Sequence, residues 1–386
     1  MQLLEVTDRQ TTNDFIKVNV LVNKNDPNYI RPLDKDVNAV FDKEQNKYFR
    51  FGEAKRWLLK DDNGQLIGRI AAYANKKYRT KGDEQPTGGI GFFDCINNQE
   101  AADTLFNTAK QWLIDNGFEA MDGPINFGER DRWWGLLVEG FHQPLYCMNY
   151  NQPYYQKLFE NYGFQVFFNQ ICWGRPVRGR LPEKFYTAHQ KVATDPNFSA
   201  RRVDKTNLDK AAADFVAVYN NAFAGHDGNK QMELKVAQKL FKSMKPVMDP
   251  NLVWFAYYKE TPIAFYVNLP ELNQIFRHLN GSFGLWAKLK FLWYKWRKQN
   301  TKFTGIVFGV VPEYQAQGVD YFMIIEAAKI LQFKTNYQET ELQWQGDFIP
   351  KMLNISKNLE FNQTRKLITY RYLFDRTKEF KRHPIF

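Results

Sequence analysis

Cysteine is scarce in this 386-residue sequence. The three present (Cys95, Cys147, Cys172) are odd in number and far apart. That excludes a disulfide-stapled scaffold and reads as buried thiols in a reducing compartment. No apolar run reaches the roughly 18 residues that a membrane-crossing helix needs. The stretch Met1 to Asn25 lacks the apolar core of a signal peptide, so the expected location is cytoplasmic. The five histidines (His142, His189, His226, His278, His383) stand apart from one another and from cysteine, so no metal site is expected. Acidic residues are missing from Leu272 to Pro312, a stretch that carries seven basic ones: Arg277, Lys288, Lys290, Lys295, Arg297, Lys298 and Lys302. The net charge of +11 is therefore largely local. A local patch points to a partner surface or an anionic ligand rather than to general nucleic-acid coating.

What is abundant is aromatic residue. Phe, Tyr and Trp make up 16% of the chain, enough to fill large cores and to exclude a disordered chain. The Gly-, Pro- and Arg-rich segment Gly174–Pro182 cannot continue a helix or a central strand. With Thr194-Asp195-Pro196-Asn197 it predicts a linker over residues 176–199, dividing the chain into residues 1–175 and 200–386. The first part reads as a hairpin (Arg56–Lys60 and Gln65–Asn75 around Asp61-Asp62-Asn63-Gly64), a strand Gly88–Ile96, a helix Ala101–Asn116, a strand Phe118–Asn126, a helix Tyr154–Asn161 and a strand Gln165–Trp173. The second part repeats that series. Helices Leu208–Asn221 and Met232–Met244 precede a hairpin of Leu252–Lys259 and Pro262–Leu269. A strand Thr304–Val311, a helix Tyr321–Phe333, a strand Glu339–Gln345, a helix Ile349–Asn358 and a strand Lys366–Asp375 follow. Thr304–Val311 is nearly all apolar and is expected to be covered on both faces. The fold class is α/β in the mixed (α+β) sense: two tandem domains, each a mixed central sheet with helices on both faces.

The sharpest chemical signal is the loop between Val311 and the next helix. Gln315-Ala316-Gln317-Gly318-Val319-Asp320 links an apolar strand to a helix. Main-chain N–H groups there, with the helix N-terminus, form an anion cradle, and Gly318 lets a phosphate approach the backbone. The loop resembles the Gln/Arg-x-x-Gly-x-Gly/Ala signature of the GNAT acyltransferase superfamily. The order of elements from about residue 200 to 380 is similar to that fold. Tyr219–Phe223, Pro262–Phe265, Leu269–Asn273 and Val311–Gln315 look like a bacterial two-domain, tandem GNAT-like branch. The resemblance implies that acetyl-CoA or another acyl-CoA lies in a V between splayed strands. Val310, Val311, Gln315, Ala316, Gln317, Gly318, Val319 and Asp320 would hold it, and main-chain groups of Val310 and Val311 would bond its pantetheine arm. Phe308–Val311 and Glu341–Gln345 would be the walls. Asp320 departs from the signature's small last residue and brings a carboxylate near a diphosphate, although Asp is also a favoured helix N-cap. The matching place in the first part, Ile96–Ala101, has no glycine and carries Glu100, so no CoA site is expected there.

The resemblance also implies N-acyl transfer to an amine, which requires amine deprotonation, stabilisation of the thioester oxygen and reprotonation of the thiolate. Many GNAT enzymes use a Tyr on the helix after strand five as the acid. Helix Ile349–Asn358 has none, and Ser356 is its only hydroxyl. Asp347 and His226 are the other candidate acid–base groups. Phe223, Tyr257, Asn268 and Trp344 are the candidates for contact with the unknown acceptor. The loop Asn126–Gly135, with Trp133 and Trp134, either reaches over the acceptor cleft or packs between domains. Phe283–Lys302 has helical spacing of Leu and Trp with lysines on other faces, which suits an anionic membrane surface, an acidic carrier protein, the 3′-phosphate end of CoA, or an insertion packed on the sheet. The alternative to an enzyme is a non-catalytic acyl-CoA-binding or regulatory protein, peripheral on a membrane through residues 283–302.

Overall fold

The computed structural model describes residues 1–80, 82–223 and 231–385. The first half runs β1 (Gln2–Glu5), α1 (Arg9–Asn23), α2 (Asp34–Val40), β2 (Gly52–Lys60), β3 (Leu66–Asn75), β4 (Thr87–Cys95), α3 (Gln99–Asp115), β5 (Ala120–Gly123), β6 (Leu136–Glu139), α4 (Tyr155–Tyr162) and β7 (Gln165–Pro176). The second runs α5 (Glu183–Ala193), β8 (Phe198–Arg202), α6 (Leu208–Phe223), α7 (Leu234–Met244), β9 (Val253–Tyr258), β10 (Thr261–Pro270), α8 (Asn273–Phe276), α9 (Leu285–Trp296), β11 (Lys302–Val310), α10 (Val319–Lys334), β12 (Glu339–Leu342), β13 (Gln345–Gly346), α11 (Pro350–Asn358) and β14 (Asn362–Leu373). With β6, α5, α8, α9 and β13 set aside as insertions, the series β-α-α-β-β-β-α-β-α-β occurs twice.

Local chemistry explains the elements. The β2–β3 turn closes because Asp61 Oδ1 accepts from the amides of Asn63 and Gln65, while Gly64 takes φ +75°. Helix α3 starts where Asn98 accepts from the Ala101 amide at 2.8 Å, and Gly117 at φ +81° ends it. Strand alternation then divides the core. Trp57, Leu59, Ile70 and Ala72 face α3 and α4, whereas Leu58, Ala71 and Tyr73 face α1 and α2. The second half does the same: Phe255, Tyr257 and Phe265 pack under α6 and α7, and Trp254, Ala256 and Ala264 under α10. Helices thus cover both faces of a mixed sheet.

The two halves share one sheet, ordered β1-β2-β3-β4-β5-β14-β7-β12-β11-β10-β9-β8. The last strand of the second half, β14, lies between β5 and β7 of the first, and β7 lies between β14 and β12. Each half is completed by a strand of the other. Buried charge locks the crossing. Glu341 on β12 is fully buried against Arg365 on β14 (2.7 Å) and Lys302 on β11, and Arg365 also donates to the carbonyls of His142 and Gln143.

Three segments differ from the sequence reading. Residues 176–199, expected as a linker, hold α5, which packs on α10 with Phe185 and Tyr321 ring centres 4.5 Å apart. The N-terminal β1, α1 and α2 were not signalled. Strand β1 is four residues long, and α1 is rich in Thr, Asn and Val, which weaken helical propensity. The apolar run of β11 is not covered throughout, since Ile306 and Phe308 are 46% and 40% exposed. The three cysteines are buried free thiols. Among the described residues, no helix is long and apolar enough to cross a membrane.

Candidate functional site

Strands β11 and β12 pair in parallel only from Lys302–Gly305 against Glu339–Leu342. Beyond Leu342 the chain turns away, and Gln345–Gly346 pairs with β7 instead. A V-shaped gap opens along Ile306–Val310. A bulge lies at its apex: the β10–β11 register passes from Val267 opposite Val307 to Asn268 opposite Gly305, leaving Ile306 as the extra residue. The exposed Ile306 and Phe308 are therefore at an apolar gap and not in a sealed core. Val311 donates its amide to the Ile263 carbonyl at 2.9 Å. In an antiparallel ladder, the main-chain groups of Phe308 and Val310 must then point to the opposite edge, into the gap. Of the two residues expected to meet a pantetheine arm, Val311 has its amide already engaged. Val310 has its carbonyl taken by the Gln315 side chain at 3.0 Å.

The loop past β11 makes one tight turn, in which Tyr314 and Gln315 donate to the carbonyls of Val311 and Pro312. Ala316 and Gly318 then adopt φ +61° and +85°. Residues 315–318 coil as a tight turn, and among the described residues the amides of Ala316, Gln317, Gly318 and Val319 make no well-formed hydrogen bond. Gly318 is the N-cap of α10 and has no side chain with which to cap it. Successive unpaired donors around left-handed residues at an uncapped helix start form an anion-binding concavity. Asp320 is not the N-cap; it sits in the first turn of α10. Burial lifts its carboxyl above the usual aspartate range, while the amides of Tyr321 and Asp320 itself favour the anion and oppose that rise. Gly318 also has a packing reason to be glycine. A Cβ there would lie 3.1 Å from Ala188 Cβ on α5, at a φ that side chains rarely adopt.

The equivalent place in the first half is arranged differently. The start of α3 is capped by Asn98, and Glu100 lies in its first turn. The parallel pair β4–β5 is bridged past its last ladder position by the Ile125 amide, which donates to the Ile90 carbonyl at 2.7 Å. Of two helices in matching positions, only α10 presents an uncapped start beside an open V.

The other candidate residues do not converge on this gap. Asp347 accepts from the Asn169 amide (3.1 Å) and side chain (2.7 Å) and from Arg382 (2.7 Å), a junction between the halves. Ser356 is buried and bonded to Gln345 at 3.0 Å. Tyr257 lies in the core under α6 with its hydroxyl on Asp214 at 2.7 Å. Trp344 donates to the Arg130 carbonyl of the first-half loop at 3.1 Å. Phe223, at the end of α6, packs over Gly309 of β11, whose Cβ position would be 3.0 Å from its ring. Asn268 is at the bulge: its amide nitrogen donates to the Leu252 carbonyl at 2.9 Å, and its buried carbonyl oxygen has no partner. Phe223 and Asn268 thus flank β11, whereas Asp347, Ser356 and Tyr257 have structural partners. His226 lies outside the described residues. Trp133 and Trp134 are buried in the first-half core with Phe167 and Phe168, as a packing element.

The sequence reading missed a cavity of about 60 Å³ in the first half, lined by Asn19, Arg31, Asp36, Arg69, Asp94 and Cys147 among others. Arg69 and Asp94 pair at 2.7 Å with both side chains buried. Asn19 donates to both Asp94 oxygens at 3.0 Å, and Tyr155 reaches one at 3.1 Å. Its signal in the sequence was one charged residue within each of two otherwise apolar strands.

No known family profile matches the chain. A protein of Caulobacter vibrioides called bacterial ceramide synthase is 25% identical over 353 residues, covering 89% of this chain and 90% of that protein. A tandem GNAT protein from the clavulanic acid biosynthesis pathway superposes with a TM-score of 0.53 at 9% identity, covering 98% of this chain and 99% of that one. The glucosamine N-acetyltransferase region of a fungal multi-domain β-N-acetylglucosaminidase gives 0.55 at 11% identity over 96% of this chain, which spans 38% of that protein's length.

Proposed function

We propose that this chain, which has the tandem GNAT fold, is an acyl-CoA-dependent N-acyltransferase whose second half holds the donor. The observation that carries the reading is the run of amides from Ala316 to Val319, none with a well-formed acceptor, at the uncapped start of α10, next to a gap in the sheet. A CoA diphosphate fits that concavity by charge and by donor count. The acyl arm would lie along Ile306 and Phe308, with the gap-facing amides of Phe308 and Val310 as donors to it. In the reaction the amine nitrogen bonds to the thioester carbonyl carbon, the carbon–sulfur bond breaks, and the thiolate leaves as CoA. The proton lost from nitrogen passes to solvent and one returns to sulfur. Holding donor and amine together contributes through orientation, which is worth several kcal/mol in well-aligned cases.

A ceramide is the amide of a fatty acid with a long-chain amino alcohol. The relative of that name makes a fatty acyl-CoA and a long-chain amino alcohol the first pair to test. The experiment measures CoA and acyl-CoA binding by calorimetry, then thiol release over acyl chain lengths and a panel of amines. Release only with long-chain amino alcohols supports the lipid reading. Release with short polar amines moves the acceptor class. Binding without release across the panel would favour the non-catalytic acyl-CoA-binding alternative, and absence of CoA binding removes the proposal.

Asp320 supplies a test that spares the fold. Asp320→Asn takes a carboxylate from the first turn of α10, one residue past that run of amides, and CoA affinity at pH 8 should rise about three- to tenfold. The Asp320 carboxyl titrates above the usual range, so lowering the pH protonates it. The ratio of variant to wild-type affinity should then fall toward one, a ratio in which the titration of the CoA phosphate cancels. Calorimetry at several pH values checks both arms. Gly318 variants do not separate ligand from packing, because of Ala188.

A further inference from the structure

We propose that α9 seats the protein on an anionic lipid bilayer. The helix has two apolar faces. Ala287 and Phe291 are buried, and with Tyr294 they pack on Leu272, Phe276 and Leu279, which fixes the helix to the body. The opposite side carries Leu285, Trp286, Leu289, Leu292, Trp293 and Trp296, with Leu285, Trp286 and Trp296 all more than 70% exposed. At about 100° per residue these six fall within an arc of roughly 120°, centred opposite the buried stripe. Lys288 and Lys295 lie on one flank of that arc and Lys290 on the other, with Arg297 and Lys298 at the end. Lys295 is held by the Pro246 carbonyl, and Arg297 stacks over Trp293 at 4.9 Å.

A helix exposed only to water would turn charge outward. This one turns outward an apolar face on the order of several hundred Å², beyond what scattered surface residues give. Aromatic and leucine side chains flanked by basic residues match the layering of a bilayer interface, with apolar groups below and cations level with lipid phosphates. Charge decides the occupant. No acidic residue lies between Leu272 and Pro312, so a second copy docking through the same face would set like charges together, whereas an anionic membrane is complementary. The inference stands apart from the acyl-transfer reading, and neither depends on the other.

The test is flotation of the full-length protein with vesicles of phosphatidylcholine alone or mixed with phosphatidylglycerol. The protein should float with the mixed vesicles, be released by high salt, and show a blue-shifted tryptophan emission quenched by brominated lipid. Trp286→Ser with Trp296→Ser should lower partitioning at least tenfold with an unchanged melting temperature, because both side chains face outward. Lys288→Gln with Lys290→Gln should lower it on mixed vesicles only. Failure of the wild type to float with mixed vesicles, or unaltered partitioning of the tryptophan variant, would overturn the proposal. So would vesicle-free dimerisation that the tryptophan variant abolishes, since it assigns the face to a second copy. Flotation without quenching by brominated lipid would also count against it.

Discussion

Expressed separately, residues 1–178 and residues 179–386 should each fail to melt cooperatively, and expressed together they should reassemble into one soluble protein. The first fragment lacks β14, which pairs with both β5 and β7 and contributes Ile368, Tyr370 and Tyr372 to the core under α3 and α4. At about 1.5–3 kcal/mol for each large apolar side chain buried, three such losses amount to much of a domain's stability of 5–15 kcal/mol. The fragment also leaves Asp122 buried without Arg371, which bonds it at 2.6 Å. The second fragment lacks β7, so β12 becomes an open edge and β14 has no strand beside it, which favours aggregation. Circular dichroism melts and gel filtration check this. A first fragment that melts sharply on its own would show that the halves are independent domains.

The second large effect is expected at Arg365. Arg365→Met should destabilise the whole protein by about 3–5 kcal/mol, because it strips a buried carboxylate of its main partner. Glu341 has no exposed side-chain surface and would be left with Lys302, the Thr364 hydroxyl at 2.7 Å and, at 3.9 Å, His142. Since the cluster joins β11, β12 and β14, loss should appear in one denaturation step that involves both halves. The pH dependence follows from Glu341. Burial opposes its ionisation, but the nearby His142 and the charges and hydrogen bonds of Arg365 and Lys302 outweigh that and hold its carboxyl well below the ordinary value of 4.5. Its contribution is therefore complete above about pH 4.5 and is lost as the pH falls further. Guanidinium titrations of wild type and Glu341→Gln should show a stability gap that is constant from pH 6 to 8 and closes on acidification below pH 4.5. A gap independent of pH would mean that Glu341 acts by shape rather than charge.

Signals that act within a few residues specify the local elements and their order. The hairpin around Asp61–Gly64, the helices α3 and α10, and the strand-loop-helix from Val310 to Asp320 were all legible, because alternation, helical periodicity and turn residues act within a few positions. The doubled order of elements followed from the same signals. Helix α5 was not legible, since the glycines and prolines on its N-terminal side mark a break and cannot say what comes after it. The remainder depends on contacts between residues distant in the chain. The partners of β14 lie more than a hundred positions away, so nothing local in β14 records that it completes the first half. Apolar character alone did not distinguish a strand sealed on both faces from β11, whose neighbour leaves after Gly305 and exposes Ile306 and Phe308. Asp347 and Ser356 looked available as chemical groups because their chemistry is local. Their partners Asn169, Arg382 and Gln345 are placed only by the folded sheet, and those partners are what occupy them.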